Sequence, residues 1–204
     1  MWGEGPGQLA LLTANFLKQS TFFKNTRDIF LLDLGCGYGR DAIYLAQNLP
    51  CHILALDSSS RAITMARAKL PQNLEKRVEL LCWDFNRLTD RYDVIFVSNL
   101  YHLLKPDDRA ALRDIIRRRL NRAGMLFLST LSVKDPQHFG RGTPVGGEIN
   151  TFYDEQYLHF STRAELEGEF DFLHISGLFE RNYVEMRTGG NHHHTSWILM
   201  GKAP

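Results

Sequence analysis

Leu31-Leu32-Asp33-Leu34-Gly35-Cys36-Gly37-Tyr38-Gly39-Arg40 is the stretch that decides the fold. An apolar run ends in an acid, glycine stands at every second position after it, and a helical pattern starts at Arg40. A strand that turns through glycines into a helix opens an α/β unit and lets a ligand approach the backbone closely. The spacing departs from the dinucleotide fingerprint G-x-G-x-x-G. The third glycine comes one residue early, and Arg40 stands where that fingerprint takes Gly or Ala. Asp33 adds a charge argument, because a carboxylate just before the first glycine repels a pyrophosphate and suits a cationic amino-acid moiety.

Outward from this stretch, apolar runs and helical patterns alternate. Gln8 to Ser20 carries Leu9, Leu12, Phe16 and Leu17 at helical spacing and predicts a helix. Residues 1–25 then form an N-terminal helical cap. Strands are predicted at Ile29 to Asp33, His52 to Leu56, Val78 to Leu81, Asp93 to Val97 and Met125 to Leu128. Helices are predicted from Arg40 to Asn48, after Asp57 and its serines, and from Pro106, where carboxylates face the positive end of the helix dipole. Two last runs, Phe172 to Tyr183 and Thr195 to Met200, read as strands joined by a polar turn of Gly189-Gly190-Asn191 and three histidines. That connection is too tight for a crossover, so the final strand runs antiparallel. The expected fold is one α/β domain over residues 1–204, Rossmann-like, with a seven-stranded, mostly parallel sheet, helices on both faces and an antiparallel last strand.

Two further acids stand one strand apart from each other. Asp57 ends the second strand and is followed by Ser58; ligands sit outside the carboxyl ends of such strands, so its carboxylate can accept both hydroxyls of a ribose. Asp84, just past the third strand, can accept the exocyclic amine of an adenine, with Phe85 or Trp83 alongside to stack. Asp33 with Gly35, Gly37 and Gly39, then Asp57, then Asp84, resembles the motif series of class I S-adenosylmethionine-dependent methyltransferases, from about Phe30 to Leu131. The resemblance implies that Gly35 to Gly39 lie against the methionine part of the cofactor, Asp57 and Ser58 at the ribose, Asp84 and Phe85 at the adenine, and Asn99 near them. S-adenosylhomocysteine is then the product.

The acceptor side is less defined. Asn99-Leu100-Tyr101-His102-Leu103 lacks the Asn-Pro-Pro-aromatic motif of amino-methylating enzymes and is similar to small-molecule methyltransferases. His102 can orient a nucleophile. Residues 132–161 have no clear periodicity, and they leave the ligand end of the fifth strand, so they are expected to form an active-site lid. Its Gly140 to Ser161 part carries Glu148, Asn150, Tyr153, Tyr157 and His159. With Trp2-Gly3 and the histidines His192, His193 and His194, the chain loosely resembles the tellurite-resistance type. His102, His159 and His193 are the candidate bases, and no metal is expected because no ligand set matching the histidine run stands elsewhere.

Composition narrows the partners. Lys+Arg 24 against Asp+Glu 23 gives a net charge of +1 over 204 residues, which argues against a nucleic-acid partner. Arg109, Arg113, Arg117, Arg118, Arg119 and Arg122 are expected to form a solvated outer helix face. No leader pattern or bilayer-length apolar run stands out. Cys36, Cys51 and Cys82 read as buried free thiols, so the expected location is the cytoplasm. A small-molecule acceptor is expected. The competing readings are a non-catalytic cofactor-binding module and a methyltransferase of RNA or protein.

Overall fold

The computed structural model describes residues 5–20, 28–187 and 190–204. Trp2-Gly3, residues 21–25 of the expected cap, Gly189 and the His192 side chain lie outside the described residues. In chain order the elements are α1 (Gln8–Gln19), β1 (Ile29–Leu34), α2 (Arg40–Asn48), β2 (Cys51–Asp57), α3 (Ser60–Lys69), β3 (Val78–Cys82), β4 (Tyr92–Ser98), α4 (Pro106–Arg119), β5 (Leu120–Leu131), β6 (Thr143–Pro144), β7 (Thr151–Asp154), β8 (Gln156–His159), α5 (Arg163–Glu169), β9 (His174–Arg187) and β10 (Gly190–Lys202).

Seven strands form one sheet in the order β3-β2-β1-β4-β5-β10-β9. The first five run parallel, and β10 inserts antiparallel between β5 and β9. The expected architecture is therefore present. The apolar runs work because both sheet faces are covered. Leu9, Ala14 and Leu17 of α1 pack with Ala42 and Leu45 of α2 and Ile63 of α3 on one face. Leu112, Ile115 and Ile116 of α4 and Leu166 of α5 cover the other. At β1 this puts Leu31 into one core and Leu32 into the other, the alternation of a doubly buried strand.

Four expectations change. The segment 132–161 is not irregular, because Thr151 to His159 folds back on itself as β7 and β8, and β6 adds a third strand. The reversal passes through Glu155 at φ +58°. Phe139, Phe152 and Phe160 meet edge to face beneath this small sheet, and Leu158 and Leu131 complete its core. Secondly, the histidines belong to β10 and not to a turn. Alternation along the strand buries His194 and exposes His193.

Thirdly, the arginines of α4 are not all solvated. Arg109 is buried and donates to the Leu104 carbonyl at 2.8 Å and to the Tyr157 hydroxyl at 3.0 Å. Arg113 bonds the Tyr101 hydroxyl and Glu169, both at 2.7 Å. Long guanidinium arms reach polar partners that helix periodicity does not reveal. Lastly, Cys82 is exposed, because it ends the edge strand β3, and Cys36 is half-buried; only Cys51 is fully buried.

Candidate active site

The glycine loop joins β1 to α2 at the carboxyl end of the sheet. Gly35, Gly37 and Gly39 all have positive φ, between 55° and 76°. At Gly35 the conformation and the space act together, since a Cβ would sit 3.1–3.2 Å from three atoms of Leu100. Any larger residue there is strained and crowded at once. At Gly37 a Cβ would meet nothing within 4 Å, so that side of the loop lies open.

Asp57 ties the loop to the next strand. Its Oδ2 accepts the Gly37 N–H at 2.9 Å, and its Oδ1 accepts the Ser59 N–H at 2.8 Å. Parallel pairing of β1 with β2 puts Asp33 beside Ala55 and ends both strands at the same edge. Asp57 is partly exposed, and a carboxylate has about four lone-pair sites, so both oxygens can take a further donor from the open side.

Asp33 is buried to 1% exposure and its Oδ2 has no hydrogen-bond partner among the described residues. Burial pushes its carboxyl well above the usual range, repulsion from Asp41 and Asp57 adds to this, and Arg40 opposes it. Such a buried acid beside two others is incomplete without a cation or a proton. Asp41 in turn accepts the Gly7 N–H at 2.7 Å and the Arg40 Nε–H at 2.9 Å. The chain just before α1 is thus held against the start of α2, a tie that the sequence did not single out.

Ser58 and Asp84 are exposed and Phe85 is half-buried. Asp84 caps the short turn that follows it, with Oδ1 accepting from the Asn86 N–H at 2.9 Å and from its side-chain amide at 2.8 Å. Asn99 sits at φ +55° after β4, where Ser129 on β5 bonds its backbone and faces its amide oxygen at 3.4 Å. Six of the nine expected cofactor residues, Asp33, the three glycines, Asp57 and Ser58, therefore meet at one edge.

The histidines have separate surroundings. His102 is buried, its Nδ1 has no hydrogen-bond partner among the described residues, and burial pushes its pKa down to about 3, with Asp135 opposing and His138, His159 and His194 adding. The ring is neutral at ordinary pH. His159 is occupied at both nitrogens, by Thr151 Oγ1 at 2.9 Å and Glu165 Oε1 at 2.6 Å. Glu165 also closes the capping box of α5 with Thr162, so His159 fastens the small sheet to that helix. His193 faces solvent. The histidine turned inward is His194, whose Nδ1 lies 3.4 Å from Asp135 Oδ2.

Of the other segment residues, Tyr153 is exposed, whereas Tyr157 donates to Glu148 and accepts from Arg109. Tyr157→Phe keeps the ring and removes both bonds. We expect amide exchange over β7 and β8 to quicken about 10-fold by mass spectrometry, the effect of roughly 1.4 kcal/mol of local stability. An unchanged rate means that the aromatic cluster alone holds the sheet.

Strand order, the loop glycines and the three acids define a methyltransferase-type α/β domain. Residues 31–124 match the family described as "Methyltransferase domain". Among curated proteins, carboxy-S-adenosyl-L-methionine synthase of Mannheimia succiniciproducens is 30% identical over 129 residues, 61% of this chain and 53% of that protein. The chain thus spans about half the length of this relative. A methyltransferase structure from Methanosarcina mazei superposes with a TM-score of 0.72 at 19% identity, covering 89% of this chain and 95% of the other. TehB from Haemophilus influenzae superposes with a TM-score of 0.68 at 15% identity, covering 96% and 61%. Residues 31–124 thus resemble a methyltransferase domain, and the chain shares the Rossmann-like fold of these solved methyltransferases.

Proposed function

We propose that this chain transfers a methyl group from S-adenosylmethionine to a small-molecule acceptor. The observation that carries the reading is the buried Asp33, whose Oδ2 has no hydrogen-bond partner among the described residues, beneath a glycine loop that Asp57 pins in place. When bound, the cofactor supplies a methyl group already activated on a sulfonium, so the protein has chiefly to position and desolvate. Asp33 and Asp41 offer negative charge to its cationic end, the open side of Gly37 receives its backbone, and Asp57 with Ser58 takes the ribose hydroxyls. Asp84, Phe85 and Asn99 complete the set at the adenine side.

The acceptor enters from the side of β8, which packs against the turn Tyr101–Leu103 after β4. The sheet β6–β8 acts as the lid, with Tyr157 and His159 anchoring it and Tyr153 left at its surface. Cofactor analogue is expected to slow exchange over residues 140–161 and to leave α4 unchanged. No described helix is long and apolar enough to cross a membrane, and a cytoplasmic small molecule fits the balanced charge of the chain.

The test is mass spectrometry of a metabolite pool incubated with the protein and methyl-labelled cofactor. S-adenosylhomocysteine is expected to accumulate only when an acceptor is present, and the label to appear in one compound of low mass. Binding without any turnover leaves a cofactor-binding module, and label in RNA or protein overturns the small-molecule reading.

A further inference from the structure

The expectation of no metal rests on the absence of ligands to match the histidine run, and the fold supplies those ligands. We propose that Asp135, His138 and His194 form a binding site for a divalent transition-metal ion of the zinc type. Asp135 and His138 lie in the segment that leaves β5, and His194 lies on β10, which pairs with β5 through Ser196 and Leu131. One ligand atom from each residue lies within 4.8 Å of the other two. Ligands at about 2.0–2.2 Å from a tetrahedral ion are themselves some 3.3–3.5 Å apart. His194 Nδ1 and Asp135 Oδ2 already have that separation, at 3.4 Å.

The carboxylate is held as a ligand should be held. Asp135 is 2% exposed, its Oδ1 accepts the N–H groups of Gln137 at 3.0 Å and His138 at 2.8 Å, and its Oδ2 accepts the Thr195 N–H at 2.9 Å. Three backbone donors fix the carboxylate plane and leave lone pairs toward the rings. The His138 and His194 rings stack with their centroids 5.3 Å apart, and each offers a nitrogen within 4.8 Å of the carboxylate. A second observation is independent of these three residues. His102 is buried, its Nδ1 has no hydrogen-bond partner among the described residues, and Asp135, His138 and His194 all act on its charge.

Two imidazoles and one carboxylate suit zinc and its neighbours; magnesium and calcium take oxygen ligands instead. Three protein ligands leave a position open for an exogenous group. The site lies at the carboxyl end of β5, the end at which the glycine loop leaves β1. If the methyl-transfer reading holds, the open position takes the acceptor's oxygen, nitrogen or sulfur and favours its deprotonated form.

The experiment needs neither acceptor nor methyl donor. Protein stripped with chelator and dialysed is titrated with zinc chloride by calorimetry, and melting is followed with and without zinc. Wild type is expected to take up one equivalent and to melt higher with it. His138→Ala, at a half-buried position, is expected to bind about 100-fold more weakly or worse, with an unaltered circular dichroism spectrum. Asp135→Asn, of the same shape, is expected to lose affinity likewise, and His193→Ala to bind as wild type. The proposal falls if wild type shows no saturable one-equivalent uptake, if His138→Ala binds equally tightly, or if His193→Ala loses as much. Because no methyl donor is present, this result is separate from the formation of S-adenosylhomocysteine.

Discussion

Replacing Asp57 with alanine is expected to weaken S-adenosylhomocysteine binding by about 10- to 150-fold, measured by calorimetry. Two effects add. Charged hydrogen bonds to a ribose contribute roughly 1.5–3 kcal/mol, and that range corresponds to the stated fold-change. Asp57 also holds the Gly37 N–H at 2.9 Å and the Ser59 N–H at 2.8 Å, so alanine loosens the loop before any ligand arrives. The start of α3 survives, because Ser59 Oγ still accepts the Ala62 N–H. Asp57→Asn separates the two effects. Its single carbonyl oxygen can keep one of the backbone bonds, and its amide cannot replace the other. Affinity should fall between wild type and alanine. An alanine variant with wild-type affinity removes Asp57 from the cofactor site.

The second large effect has opposite signs in the free and the bound protein. Asp33→Asn is expected to stabilise the free protein at neutral pH and to weaken cofactor binding by about 10- to 100-fold. Burial, with repulsion from Asp41 and Asp57, raises the folded-state pKa of Asp33 well above its ordinary value. The folded state then holds its proton more tightly than the unfolded chain does. Its contribution to stability is fully present below the unfolded pKa, near 3.9, and is lost as pH rises through the folded value. Asparagine has no proton to lose, so that slope should flatten in melts taken from pH 5 to 8. A cationic ligand reverses the preference by favouring the carboxylate. Binding to wild type should therefore release protons, seen as a buffer-dependent calorimetric enthalpy, and binding to the variant should not. A variant that melts lower and binds normally makes Asp33 a structural acid only.

The sequence by itself determined the sheet, the glycine loop and the acids at the ends of β1 and β2. These are local properties. An apolar run of strand length closed by an acid needs no distant partner to be read, and glycine at every second position reports backbone with positive φ wherever it stands. The rule that parallel strands end together then brought Asp57 to the loop, and the antiparallel β10 followed from a connection too short for a crossover.

Tertiary structure decided the rest, because each of those features depends on residues far apart in the chain. The strands β7 and β8 are four residues each, too short for periodicity to register, and they are held by the mutual contacts of Phe139, Phe152 and Phe160. Arg109 reads as a surface charge until its arm meets Tyr157, 48 residues on. The placement of His193 and His194 came from strand register. Alternation along β10 turns His194 inward and His193 outward. The pairing of β10 with β5 brings Thr195 within 2.9 Å of Asp135, 60 residues earlier in the chain. A shift of one residue in that register would exchange the two histidines, and no local pattern in the sequence fixes it.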